Sequence, residues 1–280
     1  MPVTLVDNSY GKQSVRLVTV RRGAERHVLK DVTAAIRFEG DFTAAYTEGD
    51  NREVLPTDTM KNTVYALAAQ HPFEDIEDFG LALTDHLLES SPRASAVRVE
   101  LDEHLWEPIE AGGTPHPHGF RKAGSERRTA VVTRDRHGAR VLAGLEGLVV
   151  MKTAKSAFEG FPRDRYTTLR ETSDRLLATA VRATWRYSRP YVAFGRLWQE
   201  VRRVLLESFA AHDSLSVQHT LYAMGEAVLE TVDIEEIHIA MPNLHHLPVD
   251  LTPLGLENRN EIFVATAEPY GLIEATLRRG

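Results

Sequence analysis

The chain has 280 residues, and its 33 lysine and arginine side chains are outnumbered by 40 aspartates and glutamates, giving a formal net charge of −7. This balance provides no general basic field for nucleic acid or acidic membranes, so we expect neither as a partner. A chain without cysteine forms no disulfide, thiolate nucleophile or cysteine-ligated metal site. No signal-peptide core or membrane-length apolar run is present, so we expect a cytoplasmic protein.

The first half of the chain predicts strands, then helices, then strands. Alternating apolar residues predict a β-hairpin over residues 10–40 and a weaker third strand over 42–46. Apolar residues at helical spacing then predict a helix that begins near Thr57, with Thr57 or Asp58 as its cap. The rest of this half is predicted to contain a helix, a strand, a loop and a strand, in that order: 76–87, 97–101, 111–119 and 129–133.

The second half repeats this plan. A strand over 140–151 leads to a predicted capping box, Thr168-Leu169-Arg170-Glu171, and to a helix that carries Arg175 and extends to Trp185. Pro190 is predicted to break the helical pattern. Two more helices and two strands are then predicted: 194–205, 216–228, 236–241 and 260–266.

The repeated order predicts an internal duplication of a β-β-α-α-β-β unit, with one unit over residues 1–137 and the other over 138–280. Each would be an antiparallel sheet with helices on one face, an α+β architecture. Such sheets leave bare edges that other sheets can pair with. We therefore expect oligomerisation, in which several sheets close into a barrel.

Several polar positions admit both a structural and a functional interpretation. Thr57 is either an ordinary helix cap or a hydroxyl beside an anion-friendly helix N-terminus. Phe158 is either a packing residue or a stacking platform for a planar ligand. Arg175 and Gln218 are either surface residues or partners of a planar anion. Asn243 and His245, directly after a predicted strand, are either ordinary loop residues or catalytic groups.

Two histidine clusters raise the possibility of a metal site. They are His116-Pro117-His118 and His245-His246. Neither has the helical i, i+4 spacing or the nearby carboxylate of a familiar metal motif. We therefore predict no metal site, while a zinc site built from histidines remains the alternative.

Seven stretches together resemble the urate oxidase (uricase) family, in the family's order and over nearly the whole chain. They are Tyr10-Gly11-Lys12, 57–63, His116-Pro117-His118, Phe158-Glu159-Gly160-Phe161, 166–172, Ser216-Val217-Gln218 and Pro242-Asn243-Leu244-His245. The resemblance implies tandem tunnelling-fold (T-fold) units assembled as a homotetramer around a tunnel. It also implies oxidation of urate by O2 to 5-hydroxyisourate and hydrogen peroxide, in purine degradation and without a cofactor.

The resemblance also assigns roles to residues of this chain. Lys12, Thr57 and His245 would form a proton relay, for which Lys12 must lose a proton, as partial desolvation favours. Thr57 and Asn243 would hold O2 and then water above the ring. The substrate-binding residues would be Thr57, Asp58, Phe158, Arg175, Val217, Gln218 and Asn243. Lys12 and Thr57 would reach the substrate from one subunit and the other binding residues from its neighbour.

Two departures from the family pattern stand out. Leu244 occupies a position where relatives often carry lysine, and the chain lacks a C-terminal peroxisomal tripeptide, as expected for a bacterial-type cytoplasmic enzyme. T-fold units also host zinc-dependent pterin and purine chemistry, so a zinc enzyme is one alternative. Another is a binding protein that keeps the purine pocket without turnover.

Overall fold

The structure is a computed structural model that describes residues 3–189, 191–266 and 268–280. The chain forms two compact units, each containing sheet and helices. One unit comprises the chain up to Gly144 together with Arg186–Arg196, and the other comprises Leu145–Trp185 with Leu197–Gly280. No helix in the described ranges is long and apolar enough to cross a membrane.

The first unit is built on four antiparallel strands in the order β1-β2-β3-β4, with two long helices packed on one face. Alternate strand residues such as Ile36, Phe38 and Leu101 face Met60 and Phe79 of the helices and are almost completely buried. Burial of these apolar side chains is the main stabilising contribution. The elements are β1 Ser9–Arg22, β2 His27–Gly40, α1 Thr43–Thr47, α2 Thr57–Gln70, α3 Ile76–Glu89, β3 Ala94–Ala111 and β4 Thr114–Asp135.

In the second unit the strand order is β5-β6-β7, and β7 also pairs with β8 and with β9. Helix α5 packs on β7 and β9, and its apolar face buries Val217, Leu221, Met224 and Val228. Three elements are shared with the first unit: β5 Gly138–Lys152 and α4 Phe194–Ala211 start in it, and β6 Leu177–Tyr187 ends in it. The others are α5 Val217–Thr231, β7 Ile234–Pro248, β8 Phe263–Thr266 and β9 Leu272–Arg278.

The predicted α+β architecture of antiparallel sheets with helices is confirmed, as are the first hairpin, α2, α3, α4 and α5. The predicted strand over 42–46 is wrong. This segment contains the short helix α1, and Phe42 is buried against Tyr10, edge to face at 4.8 Å. Alternation over so few residues does not separate a strand from one helical turn.

The predicted cap of α2 is also wrong. Its N-cap is Pro56, and no side chain caps the helix. Asp58 is bound instead by Asn62 at 3.0 Å and by Lys61 at 2.5 Å, one turn further along. Proline has no side-chain acceptor, so the first N–H groups of the helix are not capped by the residue at the N-cap position.

The predicted loop over 111–119 is mostly strand. Only Gly112 and Gly113 form the turn between β3 and β4, and both have positive φ, which glycine tolerates. His116, Pro117 and His118 therefore lie within β4. Prolines in this segment suggested a loop, but Pro115 pairs opposite Glu110 near the tip of a long hairpin.

The predicted capping box at 168–171 and the helix after it are wrong. Residues 177–187 form the strand β6, and the alternate residues Leu177, Val181, Ala183 and Trp185 are buried. The segment before β6 is irregular, so Arg175 lies just before a strand and not within a helix. Pro190, predicted to break the helix, lies outside the described residues.

Candidate active site

The loop after β5 presents Phe158 and is held by backbone hydrogen bonds. Phe158 exchanges N–H···O bonds with Thr172, at 2.8 and 3.2 Å. Its ring stacks on Phe161, with centroids 4.9 Å apart and planes 14° apart. The stack fixes the tilt of the Phe158 ring, which is half-buried and suited to stacking against a planar ligand.

Arg175 brings a cation to the same place. Its Cζ atom lies 5.1 Å from the centroid of the Phe158 ring. Its buried Nε has no hydrogen-bond partner, and no carboxylate in the described chain forms an ion pair with it. Burial lowers the pKa of this guanidinium from its ordinary value, and no neighbouring anion offsets the effect. A half-buried guanidinium without a counter-ion is a natural partner for an anionic ligand.

Helix α5 places Val217 and Gln218 in its first turn. Ser216 caps the helix, because its side chain accepts a hydrogen bond from the His219 N–H at 3.1 Å. The N-terminal N–H groups of a helix carry a partial positive charge and point outward. The amide of Gln218 adds both a donor and an acceptor at this helix end.

Strand β7 supplies Asn243 and His245. These residues were predicted on a loop after a strand, but they lie inside β7, which changes partner at this point. Through Pro242 it pairs with β9, and from His245 onward with β8. Asn243 lies between the two ladders, with its N–H bonded to Gly271 O at 2.9 Å and its buried Oδ1 without a partner. Because side chains alternate along a strand, Asn243 and His245 project from one face.

These elements surround one pocket of about 550 Å³, here called the β7 pocket. Six residues singled out from the sequence line it: Phe158, Arg175, Val217, Gln218, Asn243 and His245. All of them belong to the second unit. An aromatic ring, an unpaired cation and unpaired amide groups around a concave surface can bind a flat, polar, anionic molecule.

The remaining predicted site residues lie in the first unit. Lys12 is on β1, opposite Ile36 and just before the bulge at Ser14, whose φ is 58°. Thr57 and Asp58 begin α2 and are exposed. The pKa of Asp58 lies below its ordinary value, chiefly because Lys61 donates to it, with a smaller contribution from the charge of Lys12. Helix α2 packs on β1, the strand that carries Lys12.

The histidine clusters do not form a recognisable metal site. The rings of His116 and His118 are 4.5 Å apart, and His27 lies 5.9 Å from His118. His246, next to His245, is bonded to Leu244 O at 3.0 Å. Across the described part of the chain, no three His, Asp or Glu side chains are arranged to hold a metal ion.

Sequence reasoning missed part of the pocket wall. Phe263 and Ile273 line the β7 pocket, as does Asp174, whose carboxylate accepts the Ser156 N–H at 3.1 Å. Strand β9, which carries Ile273, was not predicted at all. The alternation of Ile273 and Ala275 with Glu274 was the available signal.

Comparison with known proteins identifies the family. The family profile described as uricase matches residues 8–133 and 141–274. The uricase of Arthrobacter globiformis is 46% identical over 99% of this chain and 90% of its own length. That of Dictyostelium discoideum is 36% identical over 99% of this chain and 98% of its length. A crystal structure of the Arthrobacter enzyme superposes with a TM-score of 0.94, covering 100% of this chain and 96% of the other. The chain therefore belongs to the uricase (urate oxidase) family.

Proposed function

We propose that the β7 pocket binds urate and that the enzyme oxidises it there without a cofactor. As a member of the uricase family, the enzyme is a urate oxidase, an oxidoreductase that acts on urate with O2. In the proposed reaction urate, O2 and water give 5-hydroxyisourate and hydrogen peroxide. One carbon of the purine ring loses two electrons and gains the oxygen of water, and O2 accepts the electrons as peroxide.

The unpaired guanidinium of Arg175 over the Phe158 ring is the observation that carries this proposal. Urate is flat and anionic at neutral pH, and its edges carry carbonyl oxygens and ring nitrogens. Arg175 and Gln218 would hold those edges, with the Val217 backbone beside them, while the ring stacks on Phe158. The unpaired Oδ1 of Asn243 would accept a hydrogen bond from the attacking water, and the NH2 group of the same amide would face O2 before it.

The proton steps are assigned to Lys12, Thr57 and His245. In this scheme the relay removes a proton from the bound urate monoanion and so raises its electron density toward oxidation by O2. His245 lines the β7 pocket, and imidazole exchanges protons readily near neutral pH. Asp58, next to Thr57 at the start of α2, would support urate binding by holding Thr57 in position.

We further propose a homotetramer with active sites at subunit interfaces. Lys12 and Thr57 of one subunit would complete the β7 pocket of its neighbour. The free edge of β1, which pairs only with β2 within the described sheet, would then be covered by another sheet. The expected compartment is the cytoplasm, which a cysteine-free composition permits.

The direct test follows the loss of urate's ultraviolet absorbance in air, with and without EDTA, while peroxide is titrated and the metal content is measured. We expect the urate absorbance to decay at the same rate with and without EDTA, and one peroxide to form per urate. Loss of activity with EDTA would favour the zinc enzyme. No decay, with urate still raising the unfolding temperature, would indicate a binding protein without turnover.

A further inference from the structure

The two segments that carry Phe158 and Arg175 are joined by a short backbone ladder outside the named strands. Phe158 and Thr172 exchange both backbone hydrogen bonds, and the Arg175 N–H donates to Ser156 O at 2.8 Å. The ladder sets the distance between the ring and the guanidinium. Neither segment belongs to a regular helix or sheet, so few other bonds fix them.

Ser156 lies at the centre of this junction and is fully buried. It forms a bridge to Ser214, and the neighbouring Ala157 N–H donates to Ser214 O at 2.8 Å. Ser214 lies two residues before the cap of α5. The segments carrying the ring, the cation and the first turn of α5 therefore meet at one residue.

Asp174 completes the junction with its side chain. Its Oδ1 accepts the Ser156 N–H at 3.1 Å, and its own carbonyl accepts the Thr172 hydroxyl at 2.8 Å. A buried N–H without an acceptor is costly, so this carboxylate satisfies a group that no backbone carbonyl reaches. Asp174 also lines the β7 pocket, so the carboxylate that accepts the Ser156 N–H borders the proposed ligand.

The negative charge of a carboxylate opposes the binding of an anion in the same pocket, so its presence there indicates another role. We propose that Asp174 is a positioning residue, which fixes the Arg175 guanidinium against the Phe158 ring through the Ser156 N–H. The inference rests on the proposed function, in which those two side chains hold urate. The required property of Asp174 is then its acceptor oxygen, and its charge is dispensable.

Two substitutions of Asp174 distinguish the effect of its acceptor oxygen from the effect of its negative charge. Asp174→Asn removes the charge and keeps an acceptor oxygen, whereas Asp174→Ala removes both. We expect the Asn variant to keep the wild-type KM for urate or to lower it. The Ala variant should raise KM, and the dissociation constant for urate measured without O2, by roughly tenfold, with a smaller change in kcat.

A structural readout is needed alongside the kinetics. Hydrogen exchange of peptides that contain Ser156 should be faster in the Ala variant and unchanged in the Asn variant. If the Ala variant does not fold, Thr172→Val replaces it, with Thr172→Ser as its control. Removing the Thr172 hydroxyl should raise the KM for urate above the wild-type value, and Thr172→Ser, which keeps the hydroxyl, should not; equal KM values in the two variants would overturn the proposal.

The outcomes are distinct. Similar KM changes in the Asn and Ala variants would indicate a charge effect and overturn the proposal. An Asp174→Ala variant with the hydrogen-exchange rate and the KM of the wild-type protein would also overturn the proposal. If the exchange pattern is as expected but the wild-type protein does not bind urate, the proposed function fails, and Asp174 positions these side chains for another ligand.

Discussion

Arg175 illustrates at the scale of one residue how binding and stability are opposed. A half-buried guanidinium without an ion pair to a described residue destabilises the unliganded fold. Arg175→Met should therefore weaken urate binding by roughly ten- to hundredfold, through the lost charge-assisted bonds. The same variant should unfold at an equal or higher temperature than the wild-type protein.

Calorimetric titration with urate under nitrogen and thermal unfolding without urate measure the two effects. Arg175→Lys is the matched control, because it keeps the charge and loses the planar fork. A variant that binds urate normally, or that loses binding only through loss of folding, would contradict the assignment of Arg175.

Glu77 is a buried titratable group in the first unit, and it has no role in the proposed reaction. Its Oε2 accepts from Arg128 at 2.5 Å, and its buried Oε1 has no partner. Burial raises its pKa to about 7, and the charge of Arg128 only partly opposes this shift. A raised carboxyl pKa means that the folded state binds the proton more tightly than the unfolded state.

The stabilising contribution of protonated Glu77 should be complete below about pH 4.5, the ordinary value, and should be lost as pH rises through about 7. Glu77→Gln removes this titration. The unfolding temperature of the wild-type protein minus that of the variant should therefore decrease as the pH is raised from about 5 to about 8. The corresponding loss in free energy of unfolding is roughly 1 to 3 kcal/mol. The exposed Glu74→Gln is the control for removing a glutamate charge, and a fall of the same size in that variant would contradict the assignment to Glu77.

Short motifs singled out residues that line one pocket, but they did not predict which elements carry those residues. Phe158, Arg175, Gln218, Asn243 and His245 meet in the β7 pocket, as their shared functional interpretation requires. Arg175 was nevertheless expected on a helix and Asn243 on a loop. A residue type indicates possible chemistry, whereas position depends on tertiary pairing that local sequence does not encode.

At the scale of the element, the helices were predictable because their apolar residues recur at helical spacing over three or more turns. Strand β6 was not, although Val181, Ala183 and Trp185 alternate with polar residues. A plausible capping box before it favoured a helix, and tertiary pairing overrode that local signal. The change of partner along β7 could not be read from the sequence, since it depends on strands that follow much later.

The capped start of α5 gives a prediction at this scale. Ser216→Ala leaves the His219 N–H without its acceptor and should lower stability by about 1 kcal/mol. Because Val217 and Gln218 occupy the first turn, the KM for urate should rise by more than kcat falls. Ser216→Thr keeps the acceptor and should restore both, as measured by thermal unfolding and steady-state kinetics. Equal stability in the Ala variant would contradict the role of the cap.

At the scale of the whole molecule, the proposed sharing of active sites between subunits predicts complementation. At a urate concentration far below the KM of Arg175→Met, the Lys12→Met and Arg175→Met proteins should each show little activity alone. Coexpressed, they should regain about a quarter of wild-type activity, because in random mixing that share of sites draws both intact residues from different subunits. Pairing Lys12→Met with Thr57→Val should restore nothing, since one subunit supplies both groups. Activity absent from the first mixture would argue against shared sites.

The passage of the chain between its two units has a consequence for dissecting the protein. Arg186–Arg196 belongs to the first unit although the chain on both sides of it belongs to the second, and Gly195 N–H donates to Asp75 Oδ2 at 2.9 Å. A fragment ending near residue 137 would lack this segment and leave Asp75 without that donor. The repeats are therefore not interchangeable modules: genetic shuffling of one half would have to carry along a piece encoded within the other.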